Sequence, residues 1–322
     1  MKTRLQNALS GRSAFYIRLF GTLLAFVLLV YLLSQQGWEE IKAAIQQIPL
    51  WRFFAAMGLM IVSRFAVAGR WHILLRSAGQ KVSPWDTLRV TFAGLFATNF
   101  LPTTVGGDVI RLAGAIQLKF DAVISAASLI VDRLVGMAGM VMMVPFGLPS
   151  FLAARDVTTG SLNYPGYILG GILPASIMKW VTPLWNKALK LLSRVVTALG
   201  IWKKRPQSLL QSLGFTWINM LGLFGVLYVI FQGMGEDLPI WLIGGLYSIV
   251  YLITLLPFSI NGYGIQEVSM TFIFSSIGGA SLQSALTAAL LFRTLMMIAS
   301  LPGAFFVPGL LAGARSQPGN RE

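Results

Sequence analysis

The sequence predicts an all-α, polytopic membrane protein with about six full transmembrane helices and two re-entrant helical hairpins, arranged as an inverted-topology repeat. Hydrophobic residues make up 56% of the chain and charged residues 11%, whereas soluble globular chains average about 25% charged residues. Several apolar stretches reach the roughly 20 residues that a membrane-spanning helix needs. Two further apolar stretches are broken by Pro and Gly, and such breaks are tolerated at membrane depth only where protein or a wet cavity satisfies the freed backbone.

The apolar stretches divide into full spans and interrupted segments. The predicted full spans are residues 15–33, 50–75, 121–152, 164–181, 209–231 and 281–308. No small-residue cleavage site follows the first span, so we interpret it as a retained helix rather than a signal peptide. The second span ends in the polar residues Arg70, His72, Arg76 and Lys81. Trp51, Trp71 and Trp85 fit an aromatic belt at the membrane–water interface. A basic stretch over residues 179–205 predicts a helix on the membrane surface.

The two interrupted segments resemble each other. Asn99 to Arg111 has the sequence NFLPTTVGGDVIR, and Leu255 to Glu267 has the sequence LLPFSINGYGIQE. The residues that break the helices are Pro102, Gly106 and Gly107 in the first segment and Pro257, Gly262 and Gly264 in the second. The first segment and its flanking helices are too short for two full spans, so we predict re-entrant hairpins over residues 85–119 and 238–277. Eight full spans are the alternative topology.

The distribution of charge predicts an orientation. The chain carries a net charge of +14, and its basic residues flank the spans on one side, which the positive-inside rule assigns to the cytoplasm. The protein is then integral to the plasma membrane with both termini cytoplasmic. The first hairpin enters from the cytoplasm and the second from outside, so residues 1–160 and 161–322 form two inverted membrane repeats. Nucleic acid is not expected as a partner because no hydrophilic module carries the basic residues. Anionic lipid is expected as a partner.

Ionisable and amide side chains within the apolar segments are the candidates for substrate binding and translocation, because an unpaired charge in a membrane is expensive. These residues are Asn99, Asp108, Arg111, Asp132, Arg133, Asn261, Glu267 and Arg293. Asp108 and Arg111 lie three residues apart and share a helix face. Asp132 and Arg133 are neighbours, point about 100° apart and need different partners. The expected ion pairs are Asp132 with Arg111, Arg133 with Asp108 or Glu267, and Glu267 with Arg293.

Two roles are open for these charges. If the pairs meet across the pseudo-twofold axis, they form one charged cluster near mid-membrane, where Arg133 and Arg293 hold a lipid phosphate. The alternative is a purely structural network. We expect the break glycines to permit turns and close helix approach, and Asn99 and Asn261 to bond the freed backbone. Arg64, in the middle of the second span, is a further candidate.

The sequence contains little that points to catalysis. His72 is the single histidine and there is no cysteine, so neither a metal site nor a catalytic triad is expected. There is no P-loop, which argues against ATP-driven pumping by this chain. We therefore predict that the chain is not an enzyme and that it needs no cofactor.

The two break motifs, together with the Asp132–Arg133 pair on the helix between them, resemble one family over nearly the whole chain. It is the flippase-like transmembrane region of bacterial lysylphosphatidylglycerol synthases. In those synthases a soluble aminoacyl-transferase domain follows and transfers lysine from tRNA to phosphatidylglycerol. The present sequence ends soon after its last span, so the resemblance implies lipid translocation rather than synthesis.

The favoured hypothesis is a lipid flippase or scramblase that moves a phospholipid or a polyprenyl-phosphate-linked headgroup between leaflets. Its partners would be anionic or phosphate-bearing membrane lipids and, in one variant, a separate lipid-modifying enzyme. The alternatives are a membrane-embedded lipid-modifying transferase and a non-transporting scaffold for a partner enzyme.

Overall fold

The computed structural model describes four continuous stretches and a few isolated positions. They are residues 48–100, 106–158, 205–255 and 262–308, with 27, 45, 46, 200 and 202. These stretches contain eight α-helices, one short 3₁₀ helix and no strand, so the all-α prediction is confirmed for them. The helices are α1 (Leu50–Ser77), α2 (Pro84–Phe100), α3 (Gly106–Gln117), α4 (Ala122–Thr158), α5 (Pro206–Gly233), α6 (Ile240–Thr254), α7 (Ile265–Ser276) and α8 (Leu282–Ser300), and the 3₁₀ helix is Leu301–Phe305.

Four of these helices are long and apolar enough to cross a membrane. They are α1, the Ala122–Ser150 part of α4, α5, and α8 together with the 3₁₀ turn that extends it to Phe305. Each coincides with a predicted full span, which supports an integral membrane protein. The predicted spans over 15–33 and 164–181 lie outside the described residues, and the basic stretch is described only at positions 200, 202 and 205.

Four shorter helices form two contacting pairs. α2 has 17 residues and packs on α3, which has 12; α6 has 15 residues and packs on α7, which has 12. At 1.5 Å per residue these helices are roughly 18–26 Å long, which is less than the roughly 30 Å of a bilayer core. The re-entry of the pairs and the inverted repeat of 1–160 and 161–322 stay predictions.

Close helix packing surrounds the central apolar core. α1 lies along α5, and α4 packs on α6. A Cβ atom added at Gly245 of α6 would come 2.1 Å from the backbone nitrogen of Gly147 in α4, so the two backbones touch there. Ser63 of α1 donates a hydrogen bond to Asn219 of α5 at 2.7 Å. Small residues and interhelical polar contacts of this kind hold helices together where lipid offers no hydrophobic driving force.

Glycine is required at both breaks, for backbone conformation at one and for space at the other. Gly262 and Gly264 have φ angles of 73° and 75°, in the left-handed region that side chains disfavour. At the first break the requirement is space: a Cβ atom on Gly107 would lie 1.8 Å from Thr98 Oγ1 and 2.7 Å from the carbonyl oxygen of Gly94. α2 and α3 therefore cross almost backbone to backbone.

Candidate functional site

The buried carboxylate of Asp132, on α4, joins three helices. Asp132 is 2% exposed. Arg70 of α1 donates from Nε to its Oδ1 at 2.6 Å, and Arg111 of α3 donates from Nη1 to its Oδ2 at 3.1 Å. Both carboxylate oxygens thus receive a charge-assisted hydrogen bond, which is the strong kind.

A second carboxylate extends these contacts to the helix surface. Asp108 of α3 lies 3.5 Å from Nη1 of Arg111 and accepts a hydrogen bond from Nε of Arg133 on α4. The Arg133 side chain is 57% exposed. We call the five residues the α1–α3–α4 network: Arg70, Asp108, Arg111, Asp132 and Arg133. In it three guanidinium groups face two carboxylates, so the network has an excess of positive charge.

Arg111 has hydrogen-bond donors that its ion pairs do not use. Its Nε and Nη2 are buried and find no acceptor within the described part of the chain. The guanidinium carbon lies 4.4 Å from the ring centroid of Trp71, in cation–π geometry. Gly94 of α2 provides room for this side chain, because a Cβ atom there would lie 2.5 Å from Cγ of Arg111. A guanidinium with two free N–H directions is suited to a phosphate or carboxylate oxygen pair.

A separate ion pair lies in the second half of the chain. Arg293 of α8 donates from Nε to Glu267 of α7, and its Nη2 contacts the carbonyl oxygen of Gly262 at 3.4 Å. The Tyr263 ring centroid lies 4.8 Å from the guanidinium carbon. We call Glu267 and Arg293 the α7–α8 pair. The other oxygen of Glu267, Oε2, has no hydrogen-bond partner among the residues described.

Among the described residues the charges form two separate sets, whereas a single cluster was one of the two arrangements left open by the sequence. Arg133 pairs with Asp108 rather than Glu267, and Glu267 pairs with Arg293. Over the described stretches no ion pair joins the network to the α7–α8 pair. The reason is packing: α3 contacts α4, and α7 contacts α8, so Arg133 and Glu267 each find a partner on a helix of their own half.

α1 brings one residue to the site that the sequence did not single out, and it corrects one expectation. Arg70, in the polar end of the second span, is 7% exposed and bonded to Asp132. Trp71 does not lie in an aromatic belt: it is fully buried, and its indole N–H donates to Ser128 Oγ at 2.9 Å. The spacing of Arg70 along α1 could have indicated its burial. Arg70 follows the buried Ser63 by two helical turns and therefore lies on the same face of the helix.

The asparagine of the first break has a different partner from the one expected. Asn99 donates from Nδ2 to Ser300 Oγ at 3.0 Å and thereby ties α2 to the end of α8. Its carbonyl oxygen accepts a hydrogen bond from the Tyr263 hydroxyl, so the first break contacts the second. Asn261, Pro102 and Pro257 lie outside the described residues.

The described stretches contain no group of three or more His, Cys, Asp or Glu residues that could hold a metal ion. His72 Nδ1 lies 3.1 Å from Thr87 Oγ1, a contact between α1 and α2.

Membrane-length helices that bury paired charges against one another define an integral membrane protein with ion pairs buried among its helices. The chain belongs to the family described as the lysylphosphatidylglycerol synthase TM region, whose profile matches residues 18–303. The resemblance seen in the two break motifs is thereby confirmed, and the family consists of membrane proteins involved in lipid handling. No functionally curated protein matches the chain.

Proposed function

We propose that the protein is a lipid translocase, of flippase or scramblase type, in the plasma membrane. It would move a phospholipid or a polyprenyl-phosphate-linked headgroup between leaflets through a charged site between the two predicted hairpins. The observation that carries this proposal is the imbalance of the α1–α3–α4 network, in which three guanidinium groups, two of them buried and one exposed, share two carboxylates.

The imbalance favours an anionic ligand. A network that only supported the fold would be expected to balance its charges, because each uncompensated charge is expensive within a membrane. A phosphate-bearing headgroup supplies the missing negative charge. Arg111 has free N–H groups toward it, and the exposed Arg133 offers a first contact to a headgroup that arrives along the helix surface.

The predicted topology gives these charges a route. Hairpins that enter from opposite faces would bring the network and the α7–α8 pair to the middle of the membrane from the two sides. In this orientation the basic residues of both termini would lie on the cytoplasmic face, as the positive-inside rule requires. Transport would run on the lipid gradient, on protons carried by the carboxylates, or as equilibration between leaflets, and the chain itself would not act as an enzyme.

Lipid flip-flop in proteoliposomes tests the proposal. The full chain is reconstituted with headgroup-labelled phosphatidylglycerol, and the inner-leaflet label that a membrane-impermeant quencher can reach is followed over time. We expect faster exchange than in protein-free vesicles and its loss in Arg133→Ala and Glu267→Gln.

Arg89→Ala is the matched control, because Arg89 forms an i,i+3 pair with Asp86 at the start of α2 and belongs to neither charged set. Exchange that is absent for phosphatidylglycerol, aminoacylated phosphatidylglycerol and polyprenyl-phosphate lipids would overturn the proposal. The transferase or the scaffold would then be the better hypothesis.

A further inference from the structure

Arg64 is a buried cation without a carboxylate partner. It lies in the middle of α1 and is 6% exposed. Its Nη2 donates to Met60 Sδ at 3.0 Å, and its Nε is buried with no acceptor. None of the ion pairs in the described part of the chain includes it. A thioether is a weak acceptor, so the structure leaves this guanidinium almost uncompensated.

The contrast with Arg70 shows that this is not a general property of α1. Arg70 is as deeply buried and has the carboxylate of Asp132 at 2.6 Å. Replacing an unpaired buried charge with an apolar side chain would stabilise a membrane helix. An arginine that keeps its charge without a protein partner is therefore best explained by a negative charge that comes from outside the chain.

The surroundings of Arg64 point to where that charge would bind. Tyr247 of α6 is 5% exposed, and its ring packs against Phe224 of α5 and Phe292 of α8, with ring centroids 6.1 and 5.2 Å apart. Met60, the contact of Arg64, belongs to the same buried cluster as Tyr247. α1 packs on α5 and α6 packs on α4, while α1 and α6 share no extended contact within the described stretches. Arg64 and Tyr247 thus border one buried core on helices that are not packed on each other.

We propose that Arg64 and the Tyr247 hydroxyl form a second anion site, which binds the phosphate of a lipid headgroup between the α1–α3–α4 network and the α7–α8 pair. The planar guanidinium fork matches two phosphate oxygens, and the phenol adds one more donor. This site rests on the proposed function and extends it: Arg64 lies on the same helix as Arg70 of the network, and Tyr247 packs on Phe292, the chain neighbour of Arg293.

The proposed site predicts that one substitution changes lipid binding without lowering the stability of the fold. Arg64→Met removes the charge and keeps the length of the side chain beside Met60. We expect this variant to unfold at the same or a higher temperature than the wild type, and to bind phosphatidylglycerol about tenfold more weakly, because a hydrogen bond to a charged group is lost. A purely structural arginine would give the opposite pattern, with lowered stability and unchanged lipid binding.

Native mass spectrometry of the full chain in detergent measures the binding. Three probes are titrated: phosphatidylglycerol, diacylglycerol with the same acyl chains, and inorganic phosphate. Arg64→Met should weaken the tightest phosphatidylglycerol binding and leave diacylglycerol unaffected, and Arg89→Met, the control, should match the wild type. Tyr247→Phe should weaken phosphatidylglycerol binding less than Arg64→Met does, and it tests the same site without changing the charge of the core.

Two results would overturn the site. One is phosphatidylglycerol binding by Arg64→Met and Tyr247→Phe that equals wild-type binding. The other is an Arg64 dependence seen for inorganic phosphate alone, which would assign the site to a free anion. Wild-type protein that binds phosphatidylglycerol through Arg64 but does not exchange it between leaflets would instead overturn the proposed translocation and leave the site in place.

Discussion

Arg70 of α1 and Asp132 of α4, which are 62 residues apart in the sequence, form a buried ion pair of 2.6 Å. The same carboxylate receives a second bond from Arg111 of α3 at 3.1 Å. Asp132 therefore compensates two cations at once, and the positions of three helices depend on one side chain.

Asp132→Asn should be strongly destabilising, because it leaves Arg70 and Arg111 without the charge that compensates them. Breaking a buried ion pair costs about 3–5 kcal/mol, and here two pairs are lost. The measurement is the midpoint of thermal unfolding in detergent. The double variant Arg70→Met/Asp132→Leu should be more stable than Asp132→Asn, since it removes a cation together with the anion. Wild-type stability for Asp132→Asn would contradict the pairing.

Asp108→Asn should affect stability little and transport strongly. The Asp108–Arg133 pair reaches the helix surface, where the Arg133 side chain is 57% exposed, and exposed ion pairs contribute less than about 1 kcal/mol. We expect an unfolding midpoint near that of the wild type and an altered rate of lipid exchange in proteoliposomes. A large loss of stability with unchanged exchange would assign this pair to the fold instead.

Gly107→Ala should destabilise the crossing of α2 and α3. The added methyl group would meet Thr98 Oγ1 and the Gly94 carbonyl oxygen, and overpacking of this kind costs about 1–3 kcal/mol. Adding Thr98→Ala should restore only part of the stability, because the backbone carbonyl remains. Gly58→Ala is the control: no atom lies within 4 Å of its added Cβ, so it should leave the unfolding midpoint unchanged or raise it.

Glu236 should make the start of α8 sensitive to acid. It accepts hydrogen bonds from the backbone N–H and the hydroxyl of Ser281, at 3.0 and 2.7 Å. Partial burial acts to raise the pKa of Glu236, but the hydrogen bonds from Ser281 outweigh it and hold the pKa below its ordinary value. A lowered pKa stabilises the fold above the unfolded-state value, and this stabilisation is lost as the pH falls through the folded-state value.

Glu236→Gln should therefore lower the unfolding midpoint at neutral pH, and its difference from the wild type should shrink as the solution is made acidic. Ser281→Ala supplies the second arm of a double-mutant cycle, because it removes the hydroxyl donor and the side-chain cap of α8. If the two substitutions are additive at neutral pH, the predicted coupling between these residues is absent.

The predictable part of the fold depends on local composition. α1, α4, α5 and α8 coincide with apolar runs long enough to cross a bilayer, and run length can be measured without knowing any contact. The contact between Asp108 and Arg111 follows from a spacing of three residues on a helix. The resemblance to the family was likewise visible in two short motifs of Pro, Gly and charged residues, and the family match over residues 18–303 confirms it.

The contacts that could not be predicted are long-range choices between chemically similar partners. Arg70 and Arg76 both lie near the C-terminal end of α1, and only helix packing turns the first toward Asp132 and leaves the second exposed. The indole N–H of Trp71 could be satisfied at the membrane surface or inside the protein, and its acceptor proves to be Ser128, on a helix three elements later. Arg133 had two acidic candidates, and the contact between α3 and α4 selects Asp108.

The backbone contact between Gly147 and Gly245 has a mechanical consequence. With no side chain between them, α4 and α6 cannot slide past each other at this point without a steric clash. α4 carries Asp132 and Arg133, and α6 carries Tyr247 and Tyr251. We expect the glycine contact to act as a pivot. Opening of the interior would tilt one helix about this point, so that the α4 face with Arg133 and the α6 face with the tyrosines separate while the glycine crossing stays in contact.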